Sequence, residues 1–356
     1  MGKNHLIIPP DEVLGMVMGK TIQVAKDRAF DEAQTVVPAE VARGDYIKNP
    51  PGAQALKLMY LFISVAGGRM ADDVPHQFRL SEIRKISGMK NHDRASLEPL
   101  IADLASVVLV HDDMEKQRVT ISGIVDEGSI DYRDENSGDL VVTWTFRRAF
   151  QRMAAESNHW AILDRQTIFS LSSKYSILLF QHIASLVNLH HIEAKTFTIP
   201  ELRTLFGIPA GKVKRFADLN KDVLTLAIND INQLSRLNLT ATPKKIGRTV
   251  VGVEIKWASK ELEEKAKAIR ELKGHSAGRK ARRNGTAEII AAVFPETGSI
   301  TYSPHWLEIK RAAGCNADNA KIATDFRRFL LDKGIARDAA NIEKLFGDYC
   351  RKVGKV

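Results

Sequence analysis

Arg215-Phe216-Ala217-Asp218-Leu219-Asn220-Lys221-Asp222-Val223-Leu224-Thr225-Leu226-Ala227-Ile228-Asn229-Asp230-Ile231 decides the fold. Val223, Leu224, Ala227, Ile228 and Ile231 recur at helical spacing, which predicts one long helix from Asp218 to Leu234 with an apolar face. Downstream, Leu237 to Ala241 and Val250 to Trp257 alternate as half-buried strands do, with Pro243 to Arg248 as the turn between them. Upstream, Ser172-Ser173 caps a helix from Lys174 to about Asn188, whose core face holds Tyr175, Leu178, Leu179, Ile183 and Leu186. Phe197-Thr198-Ile199 is a short extended piece, and Pro200 suits the first turn of a helix that ends at Gly207. Three helices followed by a hairpin describe a winged helix, in which the third helix enters the major groove and the hairpin meets the flanking backbone.

The same order occurs earlier in the chain. Asn49-Pro50-Pro51-Gly52 is a turn signal, after which Ala55 to Val65 form an apolar helix ended by Gly67-Gly68. Ser81 caps a short helix to Ser87, and a third runs from about Asp93 to Ser106. Val107 to Val110 and Val119 to Ile121 read as a hairpin around the charged loop Asp112 to Arg118, and Leu140 to Phe146 adds a strand. The fold class is therefore α+β, with two tandem winged-helix domains and a small C-terminal helical module. The expected divisions are an N-terminal arm over 1–48, winged-helix domains over 49–155 and 156–258, a charged helix and flexible basic linker over 259–285, and the module over 286–356. Trp306, Phe326, Phe329, Leu330 and Phe346 are the module's expected core.

Charge agrees with a polyanionic partner. The 356 residues carry a net charge of +9, and a basic surface attracts phosphate. In the second domain Lys212, Lys214 and Arg215 precede the long helix, with Asn220 and Lys221 in its first turn. Cations there oppose the helix macrodipole unless an anion is present, and helix N-termini bind anions. Lys244, Lys245 and Arg248 form a hairpin tip that, read locally, carries no acid. A solvated polar face is the plainer reading of both clusters. The first domain offers Lys90, Asn91, Arg94 and Ser96 at its third helix, but its loop Asp112 to Arg118 holds three acids, so it is equally suited to packing against a partner subunit.

Other chemistries fit less well. Cys315 and Cys350 form no C-x-x-C pair, so neither a disulfide framework nor a zinc ribbon is expected. Met1 to Asp11 has no long apolar stretch, and no run approaches a membrane span. A cytoplasmic chain with no membrane contact is expected. Gly15-x-x-x-Gly19-Lys20-Thr21 is one residue short of a phosphate loop. His190-His191-x-Glu193 has adjacent histidines, which in a strand or turn point apart. No nucleophile, base and orienter come together, so no catalytic residue, cofactor or metal is expected.

The second domain resembles a known family. The runs Ser172-x-Lys174-Tyr175-x-x-x-Leu179-Phe180, Phe197-x-Ile199-x-Glu201-Leu202-Arg203 and Arg215-Phe216-x-x-Leu219-x-x-x-Val223-Leu224-x-x-Ala227-x-x-Asp230-Ile231-Asn232 resemble the iteron-binding plasmid replication initiators. Lys245-x-Gly247-Arg248 continues the likeness, and Asp230 stands where that family often has glutamate. The likeness is clear over 160–258, looser over 45–155 and absent from 259–356. It implies monomers that bind repeated double-stranded sites at an origin through both winged helices, help open the duplex, and recruit the host initiator and the replicative helicase. It also implies dimers, joined through the first domain, that repress their own gene. A winged-helix transcription regulator and a nucleic-acid-processing enzyme with its chemistry in the C-terminal module remain alternatives.

Overall fold

The computed structural model describes residues 19–353 apart from 45–46, 85, 87–92, 114–116, 134–138, 188, 190–191, 275, 284–292 and 340. The chain forms two compact units, Met1–Lys273 and Gly274–Val356.

In the first unit, α1 (Lys20–Asp27), β1 (Gln34–Pro38), α2 (Ala39–Arg43) and β2 (Ile47–Lys48) lead into the first winged helix. This comprises α3 (Ala53–Ala66), β3 (His76–Arg79), α4 (Leu80–Arg84), α5 (Arg94–Ser106), β4 (Val108–Asp113), β5 (Arg118–Ser122), β6 (Val125–Asp131) and β7 (Val141–Phe146). A connecting layer follows, α6 (Arg148–Glu156), β8 (Trp160–Asp164) and α7 (Arg165–Ser170). The second winged helix is α8 (Lys174–Val187), β9 (Ala194–Thr198), α9 (Ile199–Leu205), α10 (Phe216–Leu219), a π-helical turn Asn220–Leu224, α11 (Thr225–Leu234), β10 (Leu237–Ile246) and β11 (Thr249–Ser259). Helix α12 (Leu262–Lys273) closes the unit.

The two winged helices share one sheet topology. In the second, the order is β10-β11-β9; in the first it is β6-β7-β3, so in each the early strand pairs with the last one. This corrects the expected hairpin of the first domain. Strands β4 and β5 join β2 in a separate sheet, and the wing is β6–β7. Strand β6, Val-Asp-Glu-Gly-Ser-Ile-Asp, is exposed over most of its length and so lacks the apolar alternation that reveals a strand. Its register with β7, Ile130 opposite Val142 and Ser129 opposite Thr143, supplies the order instead.

A single hydrophobic core runs through the unit from Ile22 to Leu272. Helices α3 and α8 are its axes, with Leu56, Leu58, Met59 and Phe62 on one and Ile177, Leu179 and Ile183 on the other fully buried. Residues 20–48, read from sequence as an arm, contribute Ile22, Val37, Val41 and Ala42 to this core. Strand β1 pairs antiparallel with β8, Val36 opposite Ile162, which ties the start of the chain to the layer between the winged helices. Polar groups complete the join. The Tyr60 hydroxyl donates to Gln181 Oε1, and Gln181 Nε2 donates to the Val41 carbonyl at 3.2 Å. His182 Nδ1 lies 2.8 Å from the Arg43 carbonyl. Gly207, at φ +57, passes so close to Pro50 that a Cβ would sit 2.3 Å from its ring.

His76 on β3 is buried among aromatic rings, 5.6 Å from both Trp144 and Phe146. Burial, then the Arg69 charge, lowers its pKa, and Asp72 partly opposes them. The folded state therefore favours neutral imidazole, and the unfolded chain binds the proton first. Stability is full above the unfolded pKa of about 6.5 and falls as the pH drops below it. Urea melts at pH 5 and pH 8 should show this loss, and His76→Gln should flatten it.

The second unit contains α13 (Ser276–Arg283), α14 (Pro304–Ala312), α15 (Asn319–Asp332) and α16 (Ile342–Val353). Ser276–Arg283, expected as part of a flexible linker, is helical. Trp306, Phe326, Leu330 and Phe346 are buried around Phe294, with Phe329 packed at the margin. Cys315 and Cys350 are free thiols within this core.

Candidate nucleic-acid interface

The helix of the second domain that faces solvent begins at Phe216 without a side-chain cap. Its first amides are therefore unsatisfied, and they form the positive end of the helix dipole. Lys212, Lys214, Arg215 and Lys221 are exposed around this start, with Asn220 half-buried. Asp218, half-buried, lies 3.8 Å from the exposed Arg215, and such a surface pair adds little stability and exchanges readily. The run is not the uniform helix that its spacing predicts: Asn220–Leu224 make a π turn, an irregularity that recurs at functional sites. Beyond it Thr225, Leu226 and Asn229 are exposed. Lys221, Thr225 and Asn229 follow each other at four-residue intervals, opposite the apolar face. Asparagine pairs with adenine in the major groove, and apolar groups meet the thymine methyl. Sequence reading stopped at Lys221 and missed Thr225 and Asn229, although polar residues at helical spacing marked them.

Asp230-Ile231-Asn232 fixes the helix in place. Asp230 is fully buried, and its Oδ2 accepts from the Ser172 amide at 2.7 Å and the Ser172 hydroxyl at 2.9 Å. Ser173 serves as the cap of α8, its Oγ accepting from the Ser176 amide at 3.0 Å. Asn232 brackets the wing: its Nδ2 donates to the Leu239 carbonyl at 2.9 Å, and the Leu239 amide donates to its Oδ1 at 2.7 Å. The buried Lys260 ammonium donates to the Ser235 carbonyl at 2.9 Å and to the Asn232 carbonyl, covering the negative end of the helix. Burial lowers the pKa of Lys260, and Glu264 opposes the shift.

The wing is longer than its sequence suggests. Pro243, Lys244 and Lys245 are strand residues of β10, with a bulge between the two lysines, and the turn is Gly247-Arg248 with Gly247 at φ +58. Proline fits because β10 is an edge strand and needs no second ladder bond. Glu254 of β11 lies 3.0 Å from Lys244 and 3.6 Å from Lys256, so the tip is not free of acid. The hydrogen bond from Lys244 holds the Glu254 carboxyl below the usual carboxylate range. Lys245 and Arg248 are exposed, with no acidic partner among the described residues.

In the first domain Ser96 is engaged in a capping box. Its amide donates to Asp93 Oδ1 at 2.9 Å, and the Asp93 amide donates to its Oγ at 2.9 Å. Arg94 stacks over Tyr132, 4.5 Å from the ring centre, which joins the third helix to the chain beyond β6. Lys90 and Asn91 lie outside the described residues.

Thr21 is buried, its hydroxyl 3.0 Å from both Ser157 Oγ and the His159 carbonyl, and Gly15 lies outside the described residues. His190 and His191 also lie outside them. Tyr175, expected on the core face of its helix, packs edge-on against Phe206. Among the described residues no group of three or more His, Cys, Asp or Glu could hold a metal ion, and no helix is long and apolar enough to cross a membrane.

Two winged helices in tandem, the second with a cationic helix start and wing, define a DNA-binding protein of the tandem winged-helix class. Residues 46–184 match the family model described as initiator replication protein, first winged helix, and 198–257 match that of the initiator Rep protein, second winged helix. The two matches span more than half of the chain, which belongs to this family of replication initiators. Among solved structures, the Pi initiator protein in complex with iteron DNA is similar at 15% identity and a TM-score of 0.48, covering 65% of this chain and 98% of that one. Domains 2 and 3 of RctB are similar at 10% identity and a TM-score of 0.34, covering 58% and 82%. No curated protein matches the chain.

Proposed function

We propose that this protein starts plasmid replication by binding repeated double-stranded sites at the origin, and that it does so in the cytoplasm and without catalysis. The second winged helix, 156–258, engages bases and backbone phosphates through Lys212, Lys214, Arg215, Asn220 and Lys221, while Lys244, Lys245 and Arg248 meet the flanking phosphates. The first, 49–155, touches DNA through Lys90, Asn91 and Arg94 and provides the contact between two copies that repress the gene. The module 286–356 meets the host initiator and replicative helicase. One observation supports the reading most: Asn232 brackets Leu239, so a cationic helix and a cationic wing are held as one element.

Footprinting on the DNA upstream of the gene tests it. Protected sites repeated at a common spacing, in a segment that sustains replication only when the protein is supplied, are the expected result. One protected inverted repeat without origin activity would make the protein a transcription regulator, and metal-dependent nicking of the site would make it an enzyme.

A further inference from the structure

Arg203, in the last turn of α9, is the least expected part of this surface. Its Nη1 donates to the Lys212 carbonyl at 2.9 Å, and its Nη2 donates to the Lys214 carbonyl at 2.9 Å and to the Val213 carbonyl. Three successive carbonyls thus close on one guanidinium, a geometry that a planar fork provides and a lysine ammonium does not. Val213, between the two lysines, sits at φ +45, a conformation that disfavours a β-branched side chain. A strained loop persists where its surroundings hold it, and here the guanidinium holds it. With the carbonyls turned toward Arg203, the side chains of Lys212 and Lys214 are left exposed and the chain enters the helix at Arg215.

We propose that Arg203 is a positioning residue for DNA binding: it touches no DNA itself and sets the loop that presents Lys212, Lys214 and Arg215 together. The inference rests on the reading that these cations meet duplex DNA. It separates from the simpler possibility that Arg203 is one more phosphate contact, because the two predict different salt dependences. Each phosphate contact contributes about 0.9 to the slope of log K against log salt. Removing one contact lowers the slope by about one. Releasing the loop removes several contacts through a single substitution.

The full chain, Arg203→Ala and Arg203→Lys are titrated against the footprinted duplex over a salt series, with thermal melts alongside. Arg203→Ala is expected to bind roughly tenfold or more weakly and to lose about two to three from the slope. Arg203→Lys, which bonds fewer of the carbonyls, is expected to fall between. Thermal melts taken at each salt concentration give the folded fraction, and the slope is computed on folded protein, so a structural defect is separated from a loss of contacts. An unchanged slope, or a loss of about one in Arg203→Ala, overturns the inference while the DNA reading stands. An unmodified chain that binds no duplex overturns both.

Discussion

Replacing Arg215 and Lys221 together by alanine is expected to weaken binding to the specific duplex by about 2–6 kcal/mol, roughly 30-fold to twenty-thousandfold. Both side chains are exposed at the start of the helix that begins at Phe216, and each would contribute about 1–3 kcal/mol where it contacts a base. Neither is committed within the fold. Arg215 has the half-buried Asp218 at 3.8 Å, and DNA can displace such a surface partner at small cost. A gel-shift series with specific and scrambled duplexes separates the contributions. A residue that reads a base lowers affinity for the specific site alone. A residue on phosphate lowers both and reduces the salt slope by about one. A folded double variant that binds as the unmodified chain does would remove this helix as the reader.

How much of this could be read from sequence depended on whether the signal was local. Val223, Leu224, Ala227, Ile228 and Ile231 are all buried as their spacing requires, and the module's aromatic core lies where its composition suggests. Strand β6 escaped because four of its seven residues are charged or glycine, and the real wing was therefore replaced by the nearer hairpin β4–β5. The pairing of β1 with β8 joins segments more than a hundred residues apart, beyond any periodic pattern. Ser96, expected as a DNA contact because it is polar and near a helix start, also forms the capping box, a second use of the same position that its spacing from Asp93 did not distinguish. Arg203, Asp230 and Asn232 stood in the family-like motifs without roles, since each acts on backbone that only the fold brings near. The cations at 212–221 were legible because they needed only a helix boundary to be placed.

Asp230→Ala is expected to destabilise the first unit by about 3 kcal/mol, because it removes the buried carboxylate that accepts from both the amide and the hydroxyl of Ser172. One hydrophobic core spans both winged helices, so the loss should appear as a downward shift of the whole unit's melting transition, not as a separate early step. For a body of this size a loss of that magnitude lowers Tm by roughly 6–12 °C. Both bonds end on Oδ2, so Asp230→Asn keeps a neutral carbonyl oxygen that accepts the pair and should lose less. The consequence for DNA binding differs in kind from that of Arg215 and Lys221. Asp230 faces the core and Arg215 faces solvent, so at low temperature, where the variant is folded, its salt slope should equal that of the unmodified chain. A slope that falls even in the cold would mean that the Ser172 anchor also sets where the helix meets the duplex, and Asp230 would then belong to the binding surface as well as to the core.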